Sequence, residues 1–122
     1  MSTRLFRILL VVAIASITYI ALSPRSPDLL NNTWDKMNHA VAFCTLSFLV
    51  NHSFPNRPFD YLKVFFIVLY GLALETGQYL LPDRYFSLLD LAANSLGIIL
   101  YAVLMLFVRK FSFFRLLTRT VD

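Results

Sequence analysis

Long apolar runs alternate along this chain with short polar breaks that carry proline. The first run, Leu5 to Leu22, is interrupted only by Arg7 near its start, where a long side chain reaches back to the headgroups. The second, at about 37–54, is the weakest and is clean only from Ala40 to Val50. The third covers 62–81, and the fourth, 88–108, is the longest and cleanest. Each approaches the roughly 20 residues a helix needs to cross a bilayer. Lipid offers the backbone no hydrogen-bond partners, so such runs are helices, and the two-residue alternation of a barrel strand is missing. The pattern predicts one all-α domain over 1–122, a bundle of four transmembrane helices at about 5–22, 37–54, 62–81 and 88–108.

The breaks are turn-forming: Ser23-Pro24-Arg25-Ser26-Pro27-Asp28, then 51–60 with Pro55 and Pro58, then Pro82-Asp83-Arg84. Basic residues orient the spans. With the N-terminus inside, Arg4, Arg7, Arg57, Lys63, Arg109, Lys110, Arg115 and Arg119 are internal, while only Arg25, Lys36 and Arg84 are external. The bias predicts that both termini are cytoplasmic. Ala21-Leu22-Ser23 is a loose signal-cleavage site, but the near-spanning length of the first run favours an uncleaved anchor. Arg109, Arg115 and Arg119 among Phe111, Phe113 and Phe114 read as an anchor on the inner leaflet.

Composition agrees with burial in lipid. Hydrophobic residues make up 58% and charged residues 15%, where a soluble domain carries about a quarter charged. The net charge of +4 is not gathered into basic blocks, so a nucleic-acid partner is not expected. The lipid bilayer is the expected partner. Cys44 is the only cysteine, which excludes an internal disulfide or a thiolate metal cluster and leaves it as a small buried hydrophobe.

Polar residues at the helix ends stand out against this background, because ionisable groups in membrane-length segments are costly. Asp35, Lys36 and His39 begin the second span, Glu75 and Gln78 end the third, and Arg84, Ser87, Asp90 and Asn94 lead into the fourth. The topology brings all of these to the outer face. Asp35 and His39 share a helix face, as do Glu75 with Gln78 and Asp90 with Asn94. Gly71 and Gly97 continue those stripes, so polar face and packing face coincide and point into the bundle. Asp35 also reads as an N-cap, and Ser87-Leu88-Leu89-Asp90 as a capping box. Glu75 has no such local duty, and its expected partner is His39, Lys36 or Arg84.

In order and spacing these residues resemble the VanZ-like family of small bacterial membrane proteins. The matching elements are Asp35-Lys36-x-x-His39 with Phe43, Glu75-x-x-Gln78, Pro82-Asp83-Arg84, and Ser87-x-x-Asp90-x-x-x-Asn94-x-x-Gly97. Asp83 departs from the glycine common there. The family takes its name from an accessory protein that raises tolerance to the glycopeptide teicoplanin, so the resemblance implies an envelope role and a multi-pass place in the bacterial cytoplasmic (inner) membrane.

The candidate catalytic residues are therefore Glu75, Asp90 and His39. Asp35, Lys36, Gln78, Arg84 and Asn94 are the candidate binding residues for an amphiphilic or lipid-linked envelope molecule. Lys36 and Arg84 suit a phosphate, and a buried carboxyl suits general acid or base work. The competing expectation is a non-enzymatic partner of envelope machinery whose polar cluster locks helix packing. A divalent metal at Asp35, His39, Glu75 and Asp90 has competent ligands but no sequence-local motif, so neither a metal nor another cofactor is expected.

Overall fold

The computed structural model describes residues 2–23, 32–82 and 84–119. Four helices follow one another, α1 Thr3–Leu22, α2 Asn32–Ser53, α3 Tyr61–Tyr79 and α4 Leu88–Arg119, and no strand occurs among the described residues. Among the described residues, caps are seen at the starts of α1, α3 and α4. Ser2 Oγ accepts from the Leu5 N–H, Asp60 Oδ1 accepts from the N–H groups of Leu62 and Lys63, and Ser87 Oγ accepts from the Asp90 N–H. Each satisfies donors that the first turn leaves open.

Boundaries differ from the apolar runs where helix and hydrophobicity part company. α2 begins five residues before its apolar run, at Asn32, which puts Asp35 inside the first turn rather than at the cap. An acid there still complements the helix dipole. α3 stops at Tyr79, where the N–H groups of Leu80 and Leu81 fold back onto the Gly77 and Gln78 carbonyls. α4 continues past residue 108 to Arg119, so the basic, aromatic tail is helical. Arg25 and Asp83 lie outside the described residues.

The helices run up and down. At one end Phe6 of α1 packs its ring against His52 of α2, and at the other the Arg84 guanidinium donates to the Ser23 carbonyl at 2.7 Å. α2 touches all three other helices, most extensively α4. Its Phe43, Leu46 and Leu49 form the core with Phe6 and Leu10 of α1, Ile67 and Leu74 of α3, and Ile98 of α4. The crossing of α2 and α4 depends on Gly97, where a Cβ would strike the Ala40 carbonyl oxygen and lie 2.9 Å from the Cys44 nitrogen.

The outer surface is apolar: Val11, Ile20, Phe66, Leu104 and Phe107 are all exposed. Two helices, α1 and residues 88–113 of α4, are long and apolar enough to cross a membrane. α2 and α3 do not meet that measure, because they carry the polar residues of the interior. Lys63, Glu75 and Gln78 of α3 are only 5%, 1% and 3% exposed.

Lys63, expected at the inner end of the third span, lies buried beneath the loop that precedes α3. Its ammonium donates to the Asn51, Phe54 and Arg57 carbonyls at 3.3, 3.0 and 2.6 Å and to Asn51 Oδ1 at 2.9 Å. It thereby closes the C-terminal end of α2, which a helix leaves with open carbonyls. Arg7 adds a bond to the Ser53 carbonyl and lies over the Phe54 ring. The Asn51 amide in turn donates to Tyr101 of α4 at 2.8 Å.

Candidate functional site

At the opposite end, α2 and α4 present facing polar side chains at intervals of one helical turn. His39 is the hub. Its Nδ1 lies 2.8 Å from Asn94 Oδ1, and its Nε2 lies 3.7 Å from Asp90 Oδ2 and 4.0 Å from Asp35 Oδ2. An amide oxygen only accepts, so Nδ1 carries the proton in that bond and Nε2 turns towards the two carboxylates. Lys36 closes the far side of Asp90, with its ammonium 3.3 Å from Oδ1. The side chains of His39, Asp35 and Asp90 are 14%, 16% and 13% exposed, so the group is largely withdrawn from solvent.

Glu75 enters from α3 and takes a partner that side-chain patterns do not reveal. Its Oε2 accepts the backbone N–H of Ser87 at 3.2 Å, rather than a bond from His39, Lys36 or Arg84. In a capping box the third residue of the helix performs that task. Here Asp90 keeps only half of the box, donating its own N–H to Ser87 Oγ at 3.2 Å. Glu75 supplies the other half from a different helix, which leaves the Asp90 carboxylate for Lys36 and His39. The second Glu75 oxygen, Oε1, is fully buried and has no hydrogen-bond partner.

Gln78 and Arg84 serve α1. The Gln78 amide donates to the Ala21 carbonyl at 2.9 Å, and Arg84 holds the Ser23 carbonyl. Beside them, between α1, α2 and α3, opens a cavity of about 410 Å³. Ile17 and Leu74 contribute to its apolar wall, and Asp35, His39, Gln78 and Asn94 to its polar one. Neither Lys36 nor Arg84 is among the described residues that line it. Asn38, one turn from both Asp35 and Ala42, does line it, a role its neighbours in sequence did not advertise.

Of the eight residues singled out from sequence, Asp35, Lys36, Asp90 and Asn94 gather around His39, and Glu75 is bonded to the Ser87 N–H beside them. Gln78 joins them at the cavity, while Arg84 is bonded to the end of α1. The packing stripe is also where expected. A Cβ on Gly71 would lie 3.1 Å from Asn94 Nδ2 and from the Phe43 ring, so α3 approaches the hub only because that side chain is missing. Chemically, the arrangement offers an imidazole of fixed tautomer, carboxylates facing it, and a cavity with one wet and one apolar wall.

No curated protein and no solved structure matches this chain. A family model described as VanZ/LLP1 matches residues 2–109, which covers α1 to α3, α4 as far as Arg109, and every residue of the cluster. With two membrane-capable helices and this match over most of its length, the chain is a membrane protein and belongs to the VanZ/LLP1 family.

Proposed function

We propose that the protein binds, and through His39 can exchange a proton with, an amphiphilic envelope molecule at the outer face of the bacterial cytoplasmic membrane. The two-sided lining of the cavity carries this reading. An acyl or prenyl chain fits along Ile17 and Leu74, and a hydroxyl- or amide-bearing head fits against Asp35, Asn38, His39 and Gln78. Small-molecule sites have this make-up, an apolar body with a few convergent polar groups. Lys36 and Arg84 stand back from the cavity, so an anionic head would draw on them only after exchanging their Asp90 and Ser23 contacts.

In this reading all four helices cross the bilayer, and both termini face the cytoplasm. The basic residues support that direction. The inward turn of Lys63, Glu75 and Gln78 supports crossing by a helix that is not apolar along its whole length. The cluster is then external, which suits an envelope lipid, and glycopeptide tolerance is the phenotype to assay.

The polar-lock reading draws support from the bonds that join α2 to α4 and α3 to α1. A lock, however, is best when every buried group is satisfied. Glu75 Oε1 is a buried acceptor left over. Native mass spectrometry of the purified protein separates the readings. Ala42→Phe fills the cavity, while Ala92→Phe alters an exposed position of α4 as a control. A lipid retained by the wild type and the control but lost from Ala42→Phe is expected; the same lipids on all three would overturn the proposal.

A further inference from the structure

At the Lys63 end of the bundle two cavities adjoin, one polar and one apolar. The first, of about 360 Å³, is bordered by Thr3 and Phe6 of α1, by Arg57 and Phe59 of the loop before α3, and by Arg109 of α4. The second, of about 660 Å³, runs between α2 and α4 along Cys44, Thr45, Phe48, Leu104 and Val108. Asn51, His52 and Arg109 border both. We propose that this end binds one anionic phospholipid, its phosphate held by Arg57 and Arg109 and an acyl chain laid in the groove between α2 and α4.

The cations are held ready for an anion. Arg57 is fixed at three points: its N–H donates to the Phe54 carbonyl, its carbonyl accepts from the Lys63 ammonium, and its Nε donates to Asp60 Oδ2 at 3.1 Å. Those bonds leave its two terminal nitrogens for a phosphate, which a guanidinium takes bidentately. Arg109 is exposed and, among the described residues, makes no hydrogen bond or ion pair. Its long side chain can rise from an apolar helix to the level of the headgroups. No carboxylate among the described residues borders either cavity. A choline or ethanolamine head would bring a further cation against two guanidinium groups, so the geometry selects a head of net negative charge, such as that of phosphatidylglycerol.

Length separates a lipid from free phosphate. The walls from Cys44 to His52 and from Tyr101 to Arg109 each extend about 12 Å at 1.5 Å per residue. One leaflet contributes roughly 15 Å of hydrocarbon, half the thickness of the bilayer core, so the groove follows a chain through most of it. Thr45, Phe48, Leu104 and Val108 are exposed, which leaves the groove open sideways to the membrane. Basic pockets between membrane helices bind phospholipid headgroups in this manner. Under the orientation proposed above, the lipid belongs to the cytoplasmic leaflet.

A test in detergent depends neither on that orientation nor on the amphiphile at the His39 end. Delipidated protein in a maltoside detergent is titrated with dioleoylphosphatidylglycerol or dioleoylphosphatidylcholine and followed by native mass spectrometry. One phosphatidylglycerol per chain is expected, bound more tightly than phosphatidylcholine, with affinity about fivefold lower in Arg57→Gln and in Arg109→Gln. Thr45→Trp, at an exposed position of the groove, should lower affinity as well. Lys110→Gln removes the same charge one residue beyond both cavities, and Ala42→Phe fills the cavity at the other end; both should bind as the wild type does. The unfolding midpoint of each variant is checked first. Equal affinity for the two lipids, a loss in Lys110→Gln as large as in Arg109→Gln, or full affinity in folded Thr45→Trp would overturn the proposal.

Discussion

Replacing Gly97 with alanine tests the packing on which the whole site depends. Alanine favours a helix over glycine by about 1 kcal/mol, so the substitution should stabilise α4 unless the new methyl meets an obstacle. At Gly97 the obstacle is backbone: the Ala40 carbonyl oxygen and, at 2.9 Å, the Cys44 nitrogen. Neither can rotate away, so α2 and α4 must separate by roughly 1 Å to restore van der Waals contact. Overpacking of this kind costs about 1–3 kcal/mol. Separation also stretches the Lys36–Asp90 and His39–Asn94 contacts, now 3.3 and 2.8 Å, each of the order of 0.6 kcal/mol between membrane helices. The expected net loss is about 2 kcal/mol.

Gly77 is the internal control. A Cβ there would meet only Leu22 Cδ2, at 3.2 Å, the far end of a flexible side chain. Gly77→Ala should therefore keep most of the helical gain and come out level with the wild type or up to about 1 kcal/mol more stable. Unfolding in detergent, followed by circular dichroism against added dodecyl sulfate, measures both. If Gly97→Ala is as stable as Gly77→Ala, α2 and α4 do not cross as described, and the geometry around His39 fails with them.

Two further perturbations probe the opposite end. Lys63→Met keeps the apolar stem but strips four oxygens of their ammonium, so a loss of about 2–3 kcal/mol is expected; an unchanged unfolding midpoint would refute that role. Asp60 caps α3, and although partial burial pushes its carboxyl up, the Lys63 N–H, the Arg57 guanidinium and the Leu62 N–H outweigh that and hold it below the ordinary value. A depressed carboxyl contributes stability in full above its unfolded value and loses it as pH falls through the folded value. The difference in melting between wild type and Asp60→Asn should thus be constant above about pH 5 and close below it; a pH-independent difference would refute the assignment.

How much of this was legible in the sequence follows from what lipid punishes. Apolar runs long enough to be helices revealed the four elements, since a bilayer permits little else. The start of α2 was hidden because hydropathy marks where a helix is greasy, and residues 32–36 are helical but polar. The cluster members were conspicuous for the same reason that the runs were, as each is expensive where it sits. Their bonds were less so. The partner of Glu75 is a backbone N–H, which every residue but proline owns, so no side-chain pattern could point to Ser87. Lys63 read only as a cation at the inner end of the third span, because burial there depends on how residues 54–57 fold over it.

The two polar nodes of this bundle are built in opposite senses, and the contrast bears on function. At the Lys63 end, one ammonium with three N–H groups meets four oxygens within 3.3 Å, and Asn51 passes the network on to Tyr101. Among the described residues, the buried side-chain atom left unbonded there is Ser53 Oγ, an uncharged hydroxyl that costs little beside a carboxylate. At the His39 end the excess runs towards acceptors. The Glu75 carboxylate keeps one oxygen buried and unbonded. A bundle that needed nothing but rigidity could have closed this end as it closed the other, with one more lysine. Leaving that oxygen unbonded lowers stability, and such strain is the expected mark of a site whose complement arrives from outside the chain. An amphiphile in the adjoining cavity is the complement that the proposed function supplies.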